Sequence, residues 1–313
     1  MQRRTFLKWQ LGGFAWLVTQ TPARSPAQVP EAPAGVAAQP AWPDVSIAKG
    51  APAAATRAAV AALGGMERFV RPGQSVLIKP NMSFALGPES AANTHPEVVR
   101  ELVILCREAG AGTIRVLDHP LQNARLSLER SGILAACESV MPGICHQLTD
   151  ASFYETTAIE AGKSMRENAI MRDALTADVL IAAPVAKSHG GAGVSLSLKG
   201  QMGLIYDRYC MHSRYDLHMA IVDLNTRIKP HLAVIDATRV LASGGPGGPG
   251  IVLTPGEVIA SADPVAADAT AVASYLWYDR EILPRQVAYI RQAHERGLGR
   301  MDIENLNTAK VTA

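Results

Sequence analysis

Ser75-Val76-Leu77-Ile78-Lys79-Pro80-Asn81 opens as an apolar run without alternation and closes on a lysine and an asparagine. A strand that is apolar at successive positions has both faces covered, as in a parallel sheet lying between helices. The pattern recurs at Thr113-Ile114-Arg115-Val116-Leu117-Asp118, at Ala177-Asp178-Val179-Leu180-Ile181-Ala182-Ala183-Pro184 and at Leu232-Ala233-Val234-Ile235-Asp236. Between these runs lie segments with helical signals. Val98, Val99, Leu102, Val103 and Leu105 recur at helical spacing behind Thr94-His95-Pro96-Glu97, where Thr94 is the expected cap. Helices are also expected over 126–140, 195–204, 217–228 and 264–276, while 143–172 reads ambiguously. Strands alternating with helices predict an α/β fold: a mainly parallel sheet flanked by helices, in a single large domain.

Polar residues collect just beyond the strand ends. Lys79 and Asn81 follow the first run, Asp118 ends the second, Lys187 and His189 follow the third, and Asp236 ends the fourth. Ligands of open α/β sheets bind outside the carboxyl ends of the strands. Chain order therefore predicts that Lys79, Asn81, Asp118, Lys187, His189 and Asp236 converge. The alternative for each is a local cap or turn. Gly190, Gly191 and Gly193 then let backbone approach a ligand, and Ser195 and Ser197 fall where a helix is expected to begin. A helix N-terminus favours an anion, and Lys187 and Lys199 add charge. A small anionic ligand, phosphate or carboxylate, is the expected partner. The segment matches neither a Walker loop nor a dinucleotide fingerprint. Ser243 to Gly250, with Gly245 and Gly247, reads as a backbone nest for an anion, a surface lid or a long connection. His189 and His212 are candidates for proton transfer or for a metal ion, with Asp118 or Asp236 as partner.

Composition narrows the classes. The chain has 313 residues, is 48% apolar and carries a net charge of +2 with no long basic run past its start, which argues against nucleic acid. No later stretch reaches the roughly 20 apolar residues of a membrane span. The four cysteines, Cys106, Cys137, Cys145 and Cys210, include no C-x-x-C pair, so an iron–sulfur cluster is not supported by their spacing. Cys137 and Cys145 are the nearest pair for a disulfide. No G-x-S-x-G elbow is present.

The chain starts Gln2-Arg3-Arg4-Thr5-Phe6-Leu7-Lys8, followed by a short apolar stretch from Leu11 to Val18. This is the pattern of a signal peptide, with the adjacent arginines of the twin-arginine route. The expected organisation is a signal at 1–27, cleaved after Ala23 or Ala27, an Ala/Pro-rich tether at 28–43, and the α/β domain at 44–313. The twin-arginine export machinery is then a partner, and the periplasm or exterior is the place of work.

Several motifs in this order resemble the domain-of-unknown-function family 362. They are Val76-Leu77-Ile78-Lys79-Pro80-Asn81, Thr94-His95-Pro96, Lys187 with His189, and Ser195-Leu196-Ser197-Leu198-Lys199-Gly200-Gln201-Met202-Gly203-Leu204. Asp223-Leu224-Asn225, Ile228-Lys229-Pro230 ahead of Val234-Ile235-Asp236, and Asp263-Pro264-Val265-Ala266 complete the set. The resemblance runs over 76–272. It implies an α/β domain of unsettled biochemistry, which many members join to a ferredoxin-like module with two iron–sulfur clusters. This chain departs from that pattern, since no cysteine follows Gly299, and Gly200 stands where the family often has Asn. Two functions remain open: an exported enzyme or cofactor-binding protein, redox-related in one version, with Lys79, Lys187 and Lys199 on an anionic group; or a non-catalytic binding or assembly protein of an envelope redox system.

Overall fold

The computed structural model describes residues 42–313. The signal peptide and all but the last two residues of the tether lie outside the described residues. The main sheet runs, edge to edge, Thr308–Thr312, Val45–Lys49, Glu257–Ser261, Leu232–Leu241, Val179–Ala183, Ser75–Pro80, Thr113–Asp118, Cys145–Gln147. Along this path only Glu257–Ser261 runs against its neighbours. The sheet is thus mostly parallel, as the unbroken apolar runs imply.

Successive strand residues feed two cores. Leu77, Leu180 and Ile235 pack into one cluster, with the helices Leu217–Arg227, Pro264–Ser274 and Ala288–Glu295. Val76, Ile78, Val179, Ile181 and Val234 pack into the other, with Pro52–Ala62 and Pro96–Glu108. Alternate side chains point to opposite faces of a strand, so a run with no polar position serves both layers at once.

Several local expectations change. The helix expected over 126–140 is two, Ala124–Arg130 and Ile133–Glu138, broken where Gly132 takes φ +75°. His95, not Thr94, caps Pro96–Glu108: its Nδ1 accepts from the Glu97 amide at 3.1 Å. Thr94 instead donates to Ala183 O at 2.7 Å and accepts from the Asn81 amide at 2.8 Å, tying two strand ends together. The ambiguous 143–172 segment contains a separate hairpin, Tyr154–Ala158 with Glu167–Met171. All four cysteines are free, with Cys106, Cys137 and Cys145 buried. Among the described residues no helix is long and apolar enough to cross a membrane.

Candidate functional site

A cavity of 170 Å³ opens at the carboxyl ends of the parallel strands. Ser75–Pro80 and its following turn bring Lys79, Asn81, Ser83 and Phe84 to it, and the strand Val185–His189 brings Lys187 and His189. Ser195, Lys199 and His212 also line it. Seven of the residues singled out from the sequence therefore face one space: Lys79, Asn81, Lys187, His189, Ser195, Lys199 and His212.

Four cationic side chains face this cavity, and they are held differently. Lys79 Nζ pairs with Asp118 Oδ1 at 3.1 Å and donates to Pro80 O at 2.7 Å. Lys187 Nζ donates to Ala92 O at 2.6 Å and sits 4.8 Å from the centre of the Phe84 ring. Arg208 donates to His119 O, and to Pro120 O at 3.0 Å. Lys199 has neither a hydrogen-bond partner nor an ion pair among the described residues. Asp118 is the single carboxylate paired with these groups. It is fully buried, its Oδ2 accepts from the Met82 amide and the Ser83 hydroxyl, and its Oδ1 accepts from the His119 amide. Lys187, Lys199 and Arg208 are left without a carboxylate among the described residues.

Removing charge from water disfavours it, and like charges nearby disfavour it further. Burial pushes Lys187 well below the ordinary lysine value, helped by Lys199 and Lys79. Burial first, then Arg208 and Lys79, bring Lys199 down to about 7. Lys79 and Arg208 are also lowered, chiefly by burial, although Asp118 opposes the shift in both. Burial, Lys199, His212 and Lys187 bring His189 down to about 3. The His189 ring accepts at Nδ1 from the amides of Gly191 and Ala192, each at 3.2 Å. That network assigns the proton to Nε2, so neutral His189 is a donor rather than a base. His212 stacks on it with ring centroids 5.8 Å apart. Its pKa is lowered by burial, Lys199 and Arg208.

Other expectations end elsewhere. Asp236 is not at the cavity. Its Oδ2 accepts from the His95 amide at 2.7 Å and from Arg239 at 3.0 Å, and its Oδ1 from Thr238. The strand does not stop at Asp236 but continues to Leu241, so the residue sits within the sheet rather than beyond it. Ser195 belongs to a short strand, Gly193–Ser195, paired with Val185–His189, and the helix starts later, at Ser197–Gly200. Its first amides are already taken: Ser197 N and Leu198 N donate to Asp268 at 2.8 and 3.0 Å. Those amides are not free for an anion, and Ser197 does not line the cavity. In the Ser243–Gly250 loop, Gly245 N donates to Ser188 Oγ at 2.9 Å and Gly247 packs beside the Phe84 ring. Pro246 is the residue of that loop that reaches the cavity lining, while Gly245 and Gly247 do not line it.

Arg208 and Gly203 were missed as site residues. Arg208 carried no strand-end signal, although the polar run Tyr206-Asp207-Arg208 was visible. Gly203 lines the cavity, and a methyl group there would overlap Asp118 Oδ1 and come within 2.7 Å of Lys79 Nζ. Only glycine lets that backbone pass the buried ion pair. Among the described residues no three His, Cys, Asp or Glu side chains lie together as a metal set. His189 and His212 stand beside uncompensated lysines, surroundings that repel a cation.

The model of the family described as "Domain of unknown function (DUF362)" matches residues 76–273. "Thylakoid-associated protein sll1697" of Synechocystis sp. is 27% identical over 247 residues, which are 76% of this chain and 74% of that protein. The lactate racemase apoprotein from Thermoanaerobacterium thermosaccharolyticum superposes with a TM-score of 0.48 at 13% identity, over 72% of this chain and 56% of that one. A Thermotoga maritima protein gives 0.39 at 11% identity, over 60% of this chain and 51% of that one. This chain thus spans little more than half the length of the two solved structures.

Proposed function

The chain belongs to the DUF362 family, and from that premise we propose that it binds a small anion in the cationic cavity at the strand ends. One observation carries the reading: Lys187, Lys199 and Arg208 are largely or fully buried around 170 Å³ with no carboxylate among the described residues to pair them. Buried charge is normally paired, because isolated burial is costly. An anionic ligand supplies the missing charge, and bidentate guanidinium contacts suit carboxylate or phosphate. The 170 Å³ volume is below the roughly 300 Å³ lower end of sites for drug-sized ligands, which suits a small anion such as phosphate or a short carboxylate. Exposed Leu121 and Tyr209 line the mouth and offer an apolar rest for whatever extends outward. The bound group is an anion rather than a bare metal ion, because every uncompensated charge at the site is positive.

Export by the twin-arginine route is part of the proposal and rests on Arg3 and Arg4 with the short apolar stretch from Leu11 to Val18 behind them. Folding before export would let the ligand be loaded in the cytoplasm.

The test is calorimetric titration of the whole protein with inorganic phosphate and with pyruvate at pH 7.5, in buffers of different ionisation enthalpy. Binding accompanied by proton uptake is expected, since an anion raises the pKa of Lys199. No heat from either anion, or heats unchanged in Lys187→Ala, would remove the reading.

A further inference from the structure

We propose that Lys199 is a carbonyl-condensing amine, and that the anion the cavity takes is a small 2-oxo acid or another carboxylate bearing an aldehyde or ketone. The inference rests on the anion-binding reading and adds a covalent step to it.

The three cavity lysines differ in one respect. Lys79 is tied to Asp118 and Pro80, and Lys187 to Ala92 and the Phe84 face. Lys199 alone of the three is untied among the described residues, although its residue is only 8% exposed. Its backbone, by contrast, is firmly placed. Asp268 accepts the amides of Ser197 and Leu198, and Asn225 Nδ2 donates to Leu198 O at 2.9 Å. The backbone leading into Lys199 is held while its amine has no partner among the described residues. An amine beside other cations in a desolvated site is kept partly neutral, and the neutral form is the nucleophile. With a pKa of about 7, roughly half of the Lys199 amine is neutral at pH 7. Arg208 as a cation and Lys187 as a tied hydrogen-bond donor remain to hold the carboxylate, and His189, a donor through Nε2, is available to polarise the carbonyl oxygen.

The step balances without a further reagent. The Lys199 Nζ lone pair forms a bond to the carbonyl carbon while the C–O π pair moves to oxygen. The two protons of the neutral amine leave with that oxygen as water, and a C=N bond remains. The imine is then an electron sink for chemistry at the adjacent carbon.

The whole protein is incubated at pH 7 with glyoxylate or pyruvate and cyanoborohydride, which reduces an imine to a stable secondary amine, and its peptides are mapped by mass spectrometry. The expected result is one carboxyalkyl adduct, on Lys199, suppressed by inorganic phosphate and absent in Lys199→Arg. If that variant fails to fold, the wild-type map alone decides. Pyruvate that binds by calorimetry but leaves Lys199 unmodified overturns the condensation while the anion reading stands. Adducts no more frequent on Lys199 than on exposed Lys49 and Lys310 overturn it as well. Neither anion binding at all removes the anion reading, and this step with it.

Discussion

Replacing Lys199 by methionine separates a site built for an anion from a merely well-packed crevice. The folded amine sits at about 7 against an ordinary 10.5. Between those values the unfolded chain binds the proton that the folded chain has lost. Stability of the free protein therefore rises as pH goes from about 7 to 10.5, and the penalty is fully present below 7. At about 1.36 kcal/mol per pKa unit, the linkage is on the order of 5 kcal/mol as an upper bound. Water entry and local relaxation reduce it, so Lys199→Met is expected to stabilise the free protein by about 1–3 kcal/mol at pH 7. Phosphate at about a hundredfold over its dissociation constant adds about 2.7 kcal/mol to the wild type. The variant, missing one cation, gains at least about 1.4 kcal/mol less, a tenfold weaker dissociation constant. Urea unfolding of both proteins at pH 7, with and without phosphate, gives all four numbers. A variant less stable than wild type without phosphate, and stabilised equally by it, would show that Lys199 is an ordinary packing residue.

Gly203→Ala forces a methyl group against Asp118 and Lys79, and should cost about 1–3 kcal/mol in urea unfolding. Gly190→Ala, where nothing lies within 4 Å of the added carbon, is the expected near-neutral control. Asp236→Ala strips the acceptor from the His95 amide and from Arg239, and should destabilise by about 2–4 kcal/mol while leaving the phosphate dissociation constant of the folded protein unchanged. A weakened affinity there would return Asp236 to the site. Replacing Arg3 and Arg4 together by lysine should leave full-length precursor in the cytoplasm of a host with twin-arginine machinery, and cell fractionation reads this directly.

The strands were legible because both their faces are buried, which leaves unbroken apolar runs such as Val76–Ile78 and Val179–Ala183. The gathering of Lys79, Lys187 and His189 followed from chain order, because strand ends of a parallel sheet point one way. The same reasoning could not say where a strand ends. Leu232–Leu241 runs on past Asp236, pairing Leu241 with Lys187, and that extension removes the aspartate from the cavity. The helix begins at Ser197 and not at Ser195, which the sequence hides because the short Gly193–Ser195 strand leaves no periodic signal. Asp268, which takes the true first amides, lies 71 residues from Ser197. Arg208 reaches the site from a loop, where neither periodicity nor a strand end marks a position.

The most direct measurement is the titration of Lys199 itself, by NMR of lysine side chains carbon-labelled at the ε position in the whole protein, assigned with Lys199→Arg. The Lys199 signal is predicted to titrate near pH 7 in the free protein, and to move towards the ordinary lysine value when phosphate is added. A Lys199 signal that titrates near 10.5 and ignores phosphate would contradict the account.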